Sequence, residues 1–124
     1  MTEKFFVDSN VLVYAASNAA ADQTKRELAL ELLDRSDLAL SGQVLAEFYV
    51  VATSKARLNL THDEAVLLLT ALARIPACPI TRELVMEAVE LRKRHQISYW
   101  DAAIIAADKT MDCGTVYSED LNAG

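Results

Sequence analysis

Four acidic residues, Asp8, Glu47, Asp101 and Asp120, stand where a fold could gather their carboxylates. Asp8 ends the apolar run Phe5-Phe6-Val7, and Asp120 comes shortly after Thr115-Val116-Tyr117. Both runs read as short strands, the first buried on both faces. An acid at the carboxyl end of a buried strand faces the crevice where open α/β sheets place ligands. Glu47 and Asp101 belong to predicted helices, near their starts. At about 100° per residue, Val44 and Val51 flank Glu47 on one side and Val50 on the other, so Glu47 rises from an apolar face. Ile104 and Ile105 straddle the direction of Asp101, which aims that acid toward the core side.

A carboxylate on an apolar face is costly unless it is paired or bound to metal. Four of them in one crevice need cations, or must shift their pKa values upward. Hard oxygen donors without His or Cys suit Mg²⁺ or Mn²⁺. The chemistry that calls for such ions is in-line hydrolysis of a phosphodiester, with one ion activating water and a second, where present, stabilising the leaving oxygen. Each acid also has a plainer role open to it. Asp8 is a good cap for the helix beginning at Val11. Glu47 fits the edge of a wide apolar stripe. Asp101 lies three residues after Ser98, a spacing close to a capping box, although Glu or Gln is preferred there.

The elements that must position these acids can be read in order. Strand Phe5 to Val7 is followed by a helix to about Ala16 and a small-residue connection, Ser17 to Ala21. Asp22 can cap a second helix, with Leu28, Leu32 and Leu33 as its apolar stripe. Leu38-Ala39-Leu40 is a strand, and Ser41 caps a third helix that Lys55-Ala56-Arg57 closes. Thr61-His62-Asp63-Glu64 is a capping box for a fourth helix, with Ala65, Leu68, Leu69 and Leu72 inward and Pro76 beyond its end. Cys78-Pro79-Ile80 suits only a short edge strand, because Pro donates nothing to a ladder. Thr81 caps a fifth helix with Leu84, Val85, Ala88 and Leu91 inward, and Arg92-Lys93-Arg94-His95 makes its basic last turn. Ser98 opens an alanine-rich sixth helix, Gly114 is its expected stop, and Thr115-Val116-Tyr117 is the last strand. The order β-α-α-β-α-α-β-α-α-β predicts a parallel sheet with helices on both faces.

One domain with a sizeable core is expected for 124 residues, and a hydrophobic share of 52% argues against disorder. The net charge of −6 argues against passive adhesion to nucleic acid or an anionic membrane, but not against a nuclease whose acids hold cations. Cys78 and Cys113 lie too far apart for a metal-type pair and read as buried thiols. With no signal peptide pattern and no apolar run of membrane-spanning length, the expected location is the cytoplasm, with no membrane partner.

Four stretches together carry a family resemblance. Asp8-Ser9-Asn10-Val11-Leu12-Val13-Tyr14, Gln43-Val44-Leu45-Ala46-Glu47-Phe48-Tyr49, Tyr99-Trp100-Asp101-Ala102-Ala103-Ile104-Ile105-Ala106-Ala107 and Tyr117-Ser118-Glu119-Asp120-Leu121 resemble the PIN-domain family. They look closest to the VapC-type ribonuclease toxins of prokaryotic toxin–antitoxin pairs. The resemblance implies a single PIN-like domain over residues 1–124. Its fold would be α/β and three-layered, a short parallel sheet flanked by helices, with the last edge strand missing because the chain stops at Gly124. It implies that Asp8 is the first metal ligand, that Glu47 is a second acid near the metal or orienting water, and that Asp101 is the principal ligand from the helix start. Asp120 would be the fourth acid. Asn10 and Ser118 would be supporting hydrogen-bonding groups. Glu119 ranks below Asp120. Asp108, two helical turns beyond Asp101, about 10 Å along the axis, falls outside the metal's immediate ligands.

The implied activity is endonucleolytic cleavage of RNA with Mg²⁺ or Mn²⁺, by a homodimer held in check by a cognate antitoxin. Lys55, Arg57, Lys109 and the Arg92–His95 run are candidates to flank the RNA path. The antitoxin would supply an apolar segment for a groove between helices and a basic side chain to neutralise the acids. A catalytically silent module binding RNA or antitoxin is the alternative, separated by metal-dependent turnover. A phospho-aspartate enzyme using Asp8 as nucleophile is disfavoured, because Asn10 stands where a phosphatase would want a second Asp.

Overall fold

The structure, a computed structural model, describes residues 4–117. Four strands, β1 (Lys4–Val7), β2 (Leu38–Ser41), β3 (Ala77–Cys78) and β4 (Cys113–Tyr117), alternate with helix pairs α1 (Ser9–Ala16) and α2 (Gln23–Leu33), α3 (Gly42–Thr53) and α4 (His62–Ala71), and α5 (Arg82–His95) and α6 (Tyr99–Thr110). All pairings are parallel, in the order β3-β2-β1-β4. The first two crossovers step one way along the sheet and the third returns across it. Right-handed connections therefore put α1–α4 on one face and α5–α6 on the other. This is the expected α/β architecture, a short open sheet between helical layers. No helix among the described residues is long and apolar enough to cross a membrane.

Side-chain caps start most of the helices as the sequence predicts. Ser41 Oγ accepts from Val44 N, Thr81 Oγ1 from Leu84 N, and Ser98 Oγ from Asp101 N, each at 3.1 Å. Thr61 and Glu64 close a full capping box. The exception is α2. Asp22 makes no cap hydrogen bond and instead accepts from Ser17 Oγ at 2.8 Å, because Ala20–Asp22 winds into a 3-10 turn.

The main core gathers Phe6, Val7, Val11, Leu12, Leu40, Val44 and Phe48, and a smaller one joins α5 to α6 through Ala88, Leu91, Ala102, Ala103 and Ala106. In α2 the buried residue is Ala29, not Leu28, which is 37% exposed. The strand expected at Cys78-Pro79-Ile80 lies one residue earlier, at Ala77–Cys78, and is an edge strand of the described sheet. The third helix ends at Thr53, before Lys55-Ala56-Arg57, which lie in the turn that follows. Gly114 does not stop α6. Asp112 takes the left-handed turn (φ 56°) and Gly114 falls inside β4, where the β1–β4 register slips between Lys4 and Phe5. A glycine suits such a bulge.

Candidate active site

β1 delivers Asp8 to the carboxyl edge of the sheet. β1 has β2 on one side and β4 on the other, so the connections leaving the two sides of that edge part company there, and a crevice opens. Asp8 is 9% exposed and also caps α1, with its Oδ1 accepting from Ser9 N at 2.6 Å. The plainer role, capping α1, is thus met by a residue that also stands at the sheet edge.

Glu47 is half-buried on α3 and reaches the same place. Ser9 Oγ lies 3.4 Å from both Asp8 Oδ1 and Glu47 Oε2, so one hydroxyl sits between the two acids. The other Glu47 oxygen accepts from Gln43 Nε2 at 2.9 Å, one turn back on α3. The apolar face of α3 is Val44, Phe48 and Ala52, while Val50 is 65% exposed. Glu47 therefore sits at the border of that face rather than in its middle.

Asp101 lies in the first turn of α6 with its side chain exposed. The expectation that it aims toward the core side fails. Ala102, Ala103, Ala106 and Ala107 take the packed face, and Ile105 is 38% exposed. Small alanines let α6 approach its neighbours, which turns the isoleucine side partly outward. The exposed Asp101 still acts on Asp8. Burial raises the Asp8 carboxyl above its ordinary value, and the charges of Glu47 and Asp101 push it further, against the lowering effect of the Ser9 hydrogen bonds. Three of the four acids singled out from the sequence thus share one electrostatic neighbourhood.

Asp120, with Ser118 and Glu119, lies outside the described residues. Among the described residues no group of three or more His, Cys, Asp or Glu is close enough to hold a metal ion. What the described acids supply is oxygen donors only, with like charge that the Ser9 hydrogen bonds relieve in part, which is the chemistry that fits a hard divalent ion such as Mg²⁺ or Mn²⁺. Asp108 is elsewhere. Its charge acts on Cys113, which pairs with Lys4 at the opposite end of β1, roughly 13 Å along the strand from Asp8. Asn10, two residues after Asp8, lines a polar cavity together with Tyr14, Ser17, Asp22 and Arg57.

Two residues escaped the sequence reading, Ser9 and Gln43. The Gln43–Glu47 spacing of four was a readable signal, since such pairs meet on a helix. Ser9 carried none, because its bridge depends on where α3 packs.

A PIN domain model matches residues 5–123. The chain belongs to the PIN domain family. No curated protein matches it. Among solved structures, this PIN domain is similar to VapC20 of Mycobacterium tuberculosis, a sarcin–ricin loop cleaving toxin, with TM-score 0.75 and 20% identity over 97% of this chain and 94% of that one. It is also similar to a toxin–antitoxin complex from Klebsiella pneumoniae, with TM-score 0.68 and 19% identity over 98% and 92% of the two chains. A third is VapBC2 of Rickettsia felis bound to a promoter DNA fragment, with TM-score 0.59 and 22% identity over 90% and 84%. At these identities the likeness is one of fold.

Proposed function

We propose that this PIN domain is a divalent-metal-dependent endoribonuclease, the toxin of a toxin–antitoxin pair, acting as a homodimer in the cytoplasm. The observation that carries the reading is the pairing of Asp8 and Glu47 about one hydroxyl, Ser9 Oγ, 3.4 Å from each, with the Asp8 carboxyl raised by burial and by the charges of Glu47 and Asp101. Family membership supports a nuclease. The fold likeness to a toxin that cleaves RNA and to two toxin–antitoxin assemblies supports the finer reading.

Asp8, Glu47, Asp101 and Asp120 would hold Mg²⁺ or Mn²⁺, with Asn10 and Ser118 as supporting groups. When bound, such an ion activates the attacking water and neutralises charge on the phosphate. The chain's own residues do the rest. Ser9 N–H pins one oxygen of Asp8, and Gln43 pins one oxygen of Glu47, which fixes both carboxylates before substrate arrives. The Glu47 oxygen beside Ser9 can orient the attacking water and take its proton as the water oxygen bonds to phosphorus, while the P–O bond to the ribose oxygen breaks and that oxygen leaves with a proton from solvent. Arg57, Lys55, Lys109 and the Arg92–His95 run are candidates to draw the phosphate backbone toward an otherwise acidic protein. An apolar groove of about 260 Å³, lined by Leu12, Leu30, Leu33, Phe48, Leu68 and Leu72, supports the antitoxin as partner. Arg74 also lines it and donates to the carbonyls of Leu33 and Arg35.

The test is cleavage of a structured RNA by purified protein with Mg²⁺, Mn²⁺ or chelator. Cleavage is expected only with the ions, and Asp101→Asn is expected to abolish it while the circular dichroism melt is retained. Wild-type cleavage by Asp101→Asn, or equal cleavage in chelator, would sink the reading. A folded protein that turns nothing over with either ion would support the silent binding module instead.

A further inference from the structure

We propose that the polar cavity beside Asn10 is a nucleotide subsite, in which Arg57 holds a phosphate of single-stranded RNA and Asp22 accepts from an amino-bearing base edge. The proposal rests on the nuclease reading, because the cavity wall starts at Asn10, two residues after Asp8, and would take a nucleotide of the same strand as the reacting one.

The cavity measures about 360 Å³, near the lower end of the roughly 300–1,000 Å³ of small-ligand pockets. Asn10 and Tyr14, one turn apart on α1, form one wall, so the wall begins two residues after Asp8. Arg57, in the turn after α3, forms another, and its guanidinium has no ion-pair or hydrogen-bond partner among the described residues. A planar, permanently charged fork on the wall of a polar cavity is suited to a phosphate. Lys25 adds a second cation at the rim, 4.8 Å over the Tyr14 ring and 3.2 Å from its hydroxyl.

Asp22 is the group that a phosphate would not select. It lines the same cavity, and Ser17 holds it there. The buried Ser17 hydroxyl accepts from Ala19 N at 3.2 Å and donates to Asp22 Oδ2 at 2.8 Å. The other oxygen, Oδ1, has no hydrogen-bond partner among the described residues. A fixed carboxylate offers acceptors only. Adenine, cytosine and guanine bring an amino group to it. Uracil brings one ring N–H between two carbonyls, which the carboxylate repels. Single-stranded bases are commonly read on such edges after leaving the stack. The wish of α2 for a cap is thus left unmet in favour of a carboxylate aimed at the cavity.

The experiment measures anisotropy of labelled rA8, rC8 and rU8 on the full chain in EDTA, across a salt series, with Mn²⁺-dependent cleavage followed in parallel. Wild type is expected to prefer rA8 and rC8 over rU8 by about tenfold, the lower end of what one well-placed polar base contact provides. Asp22→Asn, which still accepts from Ser17, is expected to lose that preference with its salt dependence unchanged. Arg57→Ala is expected to weaken all three and to reduce the slope of log K against log salt by about 0.7, one phosphate on a single strand. An unchanged slope for Arg57→Ala, an unchanged preference for Asp22→Asn, or no preference in wild type overturns the subsite. If cleavage persists in that case, the nuclease reading survives without it. If the binding pattern appears and wild type never cleaves, the subsite stands and the nuclease reading fails.

Discussion

Replacing Asp8 with Asn should make the metal-free protein more stable while removing its activity. The Asp8 and Glu47 oxygens that share the Ser9 hydroxyl each lie 3.4 Å from it. Those two oxygens are therefore at most about 7 Å apart, and at an effective dielectric near 20 two like charges at that distance repel by about 2 kcal/mol. Glu47 is half in solvent, which screens this to about 1 kcal/mol. Relief of burying the Asp8 charge adds a similar amount, so about 1–2 kcal/mol is expected in total. Asn keeps the oxygen that accepts from Ser9 N and caps a helix as well as Asp does. A gain of 1 kcal/mol corresponds to about 2–8 °C in Tm for a chain of this size.

The sign follows from linkage. The folded pKa of Asp8 lies above its unfolded value, so the protonated acid suits the fold and the ionised one weakens it. This contribution is fully favourable below the ordinary value of 3.8 and is lost as pH rises through the raised folded pKa. The advantage of Asp8→Asn should therefore be largest near about pH 7.5 and shrink toward about pH 4. The assay is thermal melting of both proteins in EDTA and in Mn²⁺. Saturating Mn²⁺ should raise wild type, by about 2.7 kcal/mol at a hundred times Kd, and raise the variant far less. A variant that melts below wild type in EDTA, or gains as much from Mn²⁺, would refute the reasoning.

Two further outcomes test the fold that holds the acids. Thr61→Ala removes the hydroxyl that caps α4 and should destabilise the protein by about 1 kcal/mol, read as a lower denaturation midpoint. Ala106→Leu puts a large side chain into the tight α5–α6 contact, where Ala106 is fully buried, and should cost about 1–3 kcal/mol. Because α6 carries Asp101, cleavage should fall with it. Unchanged melting and turnover would show that the alanine face is not close-packed.

Phe5-Phe6-Val7-Asp8 was legible as a strand ending on an acid, because apolar runs and caps are local properties. The same holds for the hydroxyl residues Ser41, Thr61, Thr81 and Ser98, all of which cap helices. The β-α-α order then constrained the sheet to be parallel. Which acids meet was not local. Periodicity gives a side chain's bearing around its own helix axis, but not which side a neighbour will cover. Val50 and Ile105 look inward by spacing and are exposed, because Phe48 and a row of alanines took the packed faces. The tertiary structure alone brought Glu47 to the hydroxyl beside Asp8, set Asp101 within reach of Asp8's charge while leaving it in solvent, and turned Asp22 away from its helix toward a cavity. Each depends on the packing of residues distant in sequence, and no short window of residues contains that information.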